Sequence, residues 1–262
     1  MIRAILSNRP DFEAAGCDIS RKALLTSLGR TPGVPVFLAD ATYLPLASGG
    51  LDAVLMFDVL EHLERPAVAV AEAARVLTPG GILHLTVPCE GSGWTLQGIL
   101  RRMGWRAFER TVGHIQAFDL ESLRSMLSRS GIDLTHVRWS GHLLSQVAHC
   151  GYVAYLSLPG VSIEDSVEGY LDRFRRGIWR SLLLWAKRGL AIFTYFESRV
   201  LRGMPGAIAH LTATKPIAIV GDPSAPRQVD AVISAARQMA PEMAIQGSWK
   251  GAGSERPVTV GR

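Results

Sequence analysis

Aspartates close three short apolar runs near the start of the chain. The run 12–19 ends in Gly16-Cys17-Asp18-Ile19-Ser20, the run 34–39 in Ala39-Asp40-Ala41, and the run 53–57 in Phe57-Asp58-Val59-Leu60-Glu61-His62-Leu63. A carboxylate at Asp18 can accept both hydroxyls of a ribose, and one at Asp40 can accept from an exocyclic adenine amine. Taken singly, each aspartate reads first as the cap of a following helix. Taken together, they describe a site suited to a nucleoside carrying a cationic group, and hostile to phosphates. Glu61, His62 and His114 are the candidate proton-handling groups. Glu61 and His62 serve alternatively to stabilise a first helical turn, and His114 to bond a backbone carbonyl. No metal is expected, and the three cysteines, Cys17, Cys89 and Cys150, lie far apart.

These residues need elements to hold them. The runs 12–19, 34–39, 53–57 and 82–87 are short and rich in Val, Ile, Leu and Phe, as in strands buried on both faces. Helical spacing occupies 21–28 and 66–77, the second ended by Thr78-Pro79-Gly80-Gly81. Strands alternating with helices predict an α/β fold with a doubly wound, mostly parallel sheet. A further helix is expected over 120–130, a strand over 133–139 and a last strand over 208–214. Between those two strands, 142–204 reads as a helical insertion. Its apolar residues Ile178, Leu182, Trp185, Ile192 and Phe196 repeat at helical steps, giving one basic amphipathic helix or two broken at Gly189. The segment 143–163 comes nearest to a membrane span but carries Ser145, Gln146, His149 and Pro159. The reading therefore divides the chain into 1–217, a domain with its insertion, and 222–262, a largely disordered tail with a short helix at 229–239.

Composition narrows the classes. Of 262 residues, 48% are hydrophobic and 19% charged, which excludes disordered, collagen-like and disulfide-scaffold chains. Net charge is only +5, and the surplus is local: eight basic residues from Arg173 to Arg202 stand against the single acid Glu197. That pattern favours one basic surface over a nucleic-acid-binding protein. The surface is either a lid, a helix packed on the domain, or a peripheral membrane contact through 173–202. The expected location is the cytoplasm, with the inner face of the membrane as the alternative if the basic surface is a membrane contact.

The stretches ending in Asp18, Asp40 and Asp58, together with Leu51-Asp52-Ala53-Val54, Val59-Leu60-Glu61-His62-Leu63 and Arg75-Val76-Leu77-Thr78-Pro79-Gly80-Gly81, resemble a class I S-adenosylmethionine-dependent methyltransferase of the broad "type 11" group. The resemblance is close over 10–90 and looser over 110–140. It implies a Rossmann-like sheet, S-adenosylmethionine as cofactor, Asp18 with Ile19 at the ribose, Asp40 and Ala41 at the adenine, and Phe57 and Asp58 on the other flank. The acceptor would be a small-molecule, lipid-linked or glycan-related compound, with His62, His114 and Glu61 as catalytic candidates and nucleic acid disfavoured. The family's opening strand and glycine-rich turn have no counterpart before Phe12, and Gly91-Ser92-Gly93 follows the wrong strand. The domain is thus expected to be N-terminally truncated, with two strand edges left unpaired. A start site placed too far downstream, a fragment, or a degenerate module without cofactor would each explain this.

Overall fold

The computed structural model describes residues 2–30, 33–158, 161, 177–201 and 203–217. Arg173, Arg175, Arg176 and Arg202, and the tail 222–262 with its expected helix, lie outside the described residues. In chain order the elements are α1 (Ile2–Asn8), β1 (Gly16–Asp18), α2 (Arg21–Arg30), β2 (Val36–Leu38), β3 (Leu51–Phe57), a 3-10 turn (Leu60–His62), α3 (Pro66–Val76) and β4 (Leu77–Pro88). Then follow α4 (Leu96–Arg102), a π-helical turn (Phe108–Val112), α5 (Leu120–Arg129), β5 (Asp133–Ser140), α6 (Leu143–Leu156), α7 (Ile178–Val200) and β6 (Ile208–Thr214).

β1 and β2 pair in parallel as a two-stranded sheet, while the main sheet has the order β3-β4-β6-β5. Among the described residues, no strand pairs the second edge of β1 or that of β3. The expected Rossmann-like α/β class holds, with a more mixed sheet than foreseen. β3 and β4 run parallel, but β6 lies antiparallel to both β4 and β5. The cause lies in the insertion, which leaves and re-enters at one sheet end: Ala207 N donates to Gly141 O at 2.9 Å, and Ser140 sits opposite Ile208. A strand that resumes where its neighbour stopped must run back along it.

The core lies on one face of the main sheet. Leu83, Leu85 and Val87 of β4 and Ala209, Leu211 and Ala213 of β6 are at most 1% exposed, and they meet Ala69, Val70 and Ala73 of α3 and Leu123 and Leu127 of α5. Both helices have well-marked starts, Pro66 at the first turn of α3 and an Asp119–Ser122 capping box on α5. The opposite face is polar and partly open. His84 Nδ1 lies 3.1 Å from Thr212 Oγ1, His210 Nε2 lies 2.7 Å from Ser140 Oγ, and Leu55 and Ile82 are 43% and 44% exposed. The strands are therefore not buried on both faces, because α3 and α5 cover only one.

α7 is a single helix that runs through Gly189. Many of its apolar side chains are exposed: Trp185, Phe193 and Val200 are 70%, 66% and 79% exposed. α7 meets α6 through its one acid, where Glu197 Oε1 accepts the Leu144 amide at 2.9 Å. That amide belongs to the first turn of α6, which has no partner of its own within the helix. Within 143–163, the described residues form a helix over Leu143–Leu156. No helix among the described residues is long and apolar enough to cross a membrane.

Candidate active site

The carboxyl ends of β3 and β4 open on a cavity of about 290 Å³. β3 hands the chain to Asp58, whose φ of 51° is left-handed, a conformation Asp tolerates better than most residues. Its amide donates to Thr86 O at 3.0 Å, which ties the turn to β4. The 3-10 turn then places Glu61 and His62 on the cavity wall.

His114 reaches the same wall from a distant segment. Gly113, at φ 79°, reverses the π-helical turn, and the Ile115 and Gln116 amides both donate to Glu61 O, at 3.0 and 3.1 Å. The Gln116 side-chain amide adds a bond to Leu63 O at 3.1 Å. On the other side, Gly91 N donates to Phe118 O at 2.8 Å, and a Cβ at Gly91 would lie 2.8 Å from Ala117 O, too close for any other residue. The segment 113–118 is thus clamped between the 3-10 turn and the loop after β4.

That loop contributes Glu90, which the strand-end reading overlooked. Its Oε1 lies 2.6 Å from His114 Nδ1, and both side chains are buried. Burial alone would lower the His114 pKa, but the bond to Glu90 and the charges of Glu90, Glu61 and Asp58 outweigh it and raise it. Burial pushes the Glu61 carboxyl up to about 7, helped by Asp58 and Glu90. His149, on α6, also faces the cavity, and its pKa is lowered, chiefly by burial. Phe108 lies against both the His114 and His149 rings, at centroid distances of 6.2 and 5.1 Å. Gln146 completes the α6 wall, accepting the Leu96 amide at 2.6 Å and donating to Gly141 O at 2.9 Å.

The residues expected at the adenosine lie elsewhere. Asp18 ends β1 with Oδ1 accepting the Ser20 amide at 2.7 Å, and the next residue, Ile19, is 65% exposed. Asp40 Oδ1 takes the Thr42 amide at 2.7 Å and its hydroxyl at 2.8 Å. Each aspartate therefore closes a turn of its own loop and neither caps a helix: Ser20 Oγ takes the Ala23 amide at the start of α2, and no helix follows Asp40 before β3. Ala41 packs against the main core, and Phe57 lies against His84 at 5.9 Å. The cavity brings together Asp58, Glu61, His62 and His114; Asp18, Ile19, Asp40, Ala41 and Phe57 do not line it.

The first third of the chain is similar to known proteins. Residues 2–85 match the family profile described as "Methyltransferase domain", a match that stops short of Glu90 and His114. A probable S-adenosylmethionine-dependent methyltransferase of Mycolicibacterium smegmatis is 34% identical over 73 residues, which is 28% of this chain and 28% of that protein. An uncharacterized 37.1 kDa protein in a transposon of Streptomyces fradiae is 40% identical over 82 residues, 30% of this chain and 24% of that protein. The chain spans about a quarter of the length of these curated relatives. Among solved structures, a putative methyltransferase from Bacillus halodurans aligns over 76% of this chain and 81% of its own, at 16% identity and a TM-score of 0.48. Residues 2–85 are therefore similar to a methyltransferase domain, and the relatives that share this stretch include proteins named as probable S-adenosylmethionine-dependent methyltransferases.

Proposed function

We propose that the chain transfers a methyl group from S-adenosylmethionine to a small-molecule or lipid-linked acceptor held in the cavity. The observation that carries this is the position of the cavity: it opens at the carboxyl ends of β3 and β4, where open α/β sheets bind ligands, directly after the matched segment. The carboxylates fit the cofactor's chemistry, since Asp18 and Asp40 keep an oxygen for hydroxyl and amine donors, and Asp58 brings to the cavity a carboxylate that would suit a sulfonium. When bound, the cofactor supplies an electrophilic methyl. The chain's own work is positioning the acceptor and receiving its proton. His114, made more basic by Glu90, receives it at Nε2, with Gln146 and Phe108 shaping the space around the acceptor.

A lipid-linked acceptor is favoured by α7. Its exposed Trp185, Phe193 and Tyr195, with Lys187 and Arg188, have the composition of a helix lying in a membrane interface. It is joined to α6, whose other side walls the cavity. A membrane under α7 would therefore present its surface next to the site. Some matched relatives are named as probable tRNA methyltransferases, one in Bos taurus at 37% identity over 75 residues and 16% of that protein. The four described basic residues of that surplus, Arg180, Lys187, Arg188 and Arg199, lie on the largely apolar α7, which argues against that substrate here.

Calorimetry with S-adenosylmethionine on the full chain is expected to show micromolar binding; none would leave the chain a cofactor-free module. Flotation with vesicles containing anionic lipid is expected to carry the wild type up and to lose it when Trp185 and Phe193 are both changed to Glu. Equal flotation of both proteins would remove the membrane contact. With labelled cofactor and a lipid extract, His114→Ala is expected to lose at least about 100-fold in turnover while binding cofactor normally.

A further inference from the structure

Glu61 is 1% exposed, and neither of its carboxylate oxygens has a hydrogen-bond partner. A buried carboxylate in that condition is costly unless a cation or a donor meets it. Two imidazoles stand beside it, both already oriented by their other nitrogen. His62 Nδ1 lies 3.1 Å from Gly113 O, and since a carbonyl only accepts, Nδ1 carries the hydrogen and Nε2 the lone pair. His114 Nδ1 is held in the same way by Glu90 Oε1. One ligand atom from each of Glu61, His62 and His114 lies within 4.8 Å of the others.

We propose that Glu61, His62 and His114 bind a divalent transition-metal cation of the zinc class on the cavity wall. Two imidazoles and one carboxylate are a donor set such ions take, with the remaining position left open. An imidazole backed by a carboxylate or a carbonyl through its far N–H is the usual outer-shell support of a metal-binding histidine, and here each histidine has one. Tetrahedral coordination asks the ligand atoms to close to about 3.3 Å of one another. The two segments that carry these residues are already braced together by the bonds from Ile115 and Gln116 to Glu61 O. Charge points the same way. Asp58, Glu61 and Glu90 gather three carboxylates at one cavity, and the Arg101 guanidinium stands off at 3.9 Å from Glu90.

The open position faces the cavity, where an acceptor oxygen would complete the coordination; this use of the metal rests on the methyl-transfer reading. Metal and proton compete for His114 Nε2, so in a metal-loaded chain the acceptor would be activated by coordination and its proton would pass to solvent through the open cavity instead of to His114.

The test needs neither cofactor nor acceptor, so its result stands apart from the methyl-transfer question. The full chain, stripped by chelator, is titrated with Zn²⁺ by calorimetry and with Co²⁺ by visible absorption. The wild type is expected to bind one equivalent and to give Co²⁺ a low-symmetry, strongly absorbing spectrum. Glu61→Gln, His62→Ala and His114→Ala should each weaken binding at least about 100-fold, and Glu90→Gln about 10- to 100-fold. His136→Ala, on an exposed site of β5, should leave it unchanged. His62 is itself exposed, so its variant reports even if the buried replacements fail to fold. Absence of stoichiometric binding, or wild-type affinity in His62→Ala, overturns the proposal.

Discussion

Glu61 makes the site's stability depend on pH in a direction opposite to that of most carboxylates. Its pKa rises from 4.5 to about 7 in the fold. Between those values the folded state holds a proton that the unfolded state has released, so stability falls as pH rises through the window and levels off above it. The change amounts to about 3 kcal/mol at most. In chelator-treated protein, the urea midpoint is expected to drop between about pH 5 and about pH 7.5, and Glu61→Gln should flatten that drop. A slope unchanged by Glu61→Gln would place the titration elsewhere. Sequence reasoning reached Glu61, His62 and His114 by type and position, but it missed Glu90. The signal was present: Glu90 lies just past the end of β4 as Asp58 lies just past β3. Attention to the neighbouring glycines, read only as a misplaced cofactor turn, hid it. The pairing of His114 with Glu90 depends on a clamp between segments far apart in the chain, and no local pattern encodes that.

At the level of elements, one buried ion pair decides where the loop carrying Asp40 and Ala41 sits. Glu72 on α3 accepts the Leu44 amide at 2.9 Å and is gripped by Arg75 Nε and Nη2 at 2.9 and 2.7 Å. Arg75 reaches on to Leu44 O and Leu46 O, at 3.1 and 2.8 Å. The pair is nearly free of solvent, so removing one member strands a charge. Arg75→Met is expected to destabilise the chain by about 3–5 kcal/mol, read as a lowered urea midpoint, whereas Arg124→Met on the exposed side of α5 should cost within about 0.5 kcal/mol. Equal effects would mean that the pair only decorates the surface. The Arg75 motif was visible in the sequence, but its partner across the loop was not. Elements themselves were legible in proportion to their partners. The strand at 208–214 matched at both ends, because alternation along β6 fits neighbours on either side. The run 12–19 shrank to the three residues of β1, because only β2 pairs with it.

For the whole molecule, the division into a two-stranded and a four-stranded sheet implies two levels of local stability. β4 and β6 are central strands with fully buried side chains, whereas β1 and β2 form a sheet of two strands, none of whose residues is fully buried. A two-stranded sheet is marginal without further cover. Amides of β1 and β2 should therefore exchange by local opening, while those of β4 and β6 exchange only with global unfolding. The same sheet carries Asp18 and leads into Asp40, so a cofactor gripped by both would bind the closed form and not the opened one. At a hundredfold excess over its dissociation constant, such a ligand adds about 2.7 kcal/mol to the closed state, or about a hundredfold slower exchange. The slowing should be concentrated in β1 and β2, because the bound ligand taxes their opening directly. Equal protection of both sheets in the free chain would refute the two-level picture. S-adenosylmethionine that binds but leaves β1 and β2 exchanging as before would instead detach Asp18 and Asp40 from the cofactor, leaving Asp58 and the cavity to hold it alone.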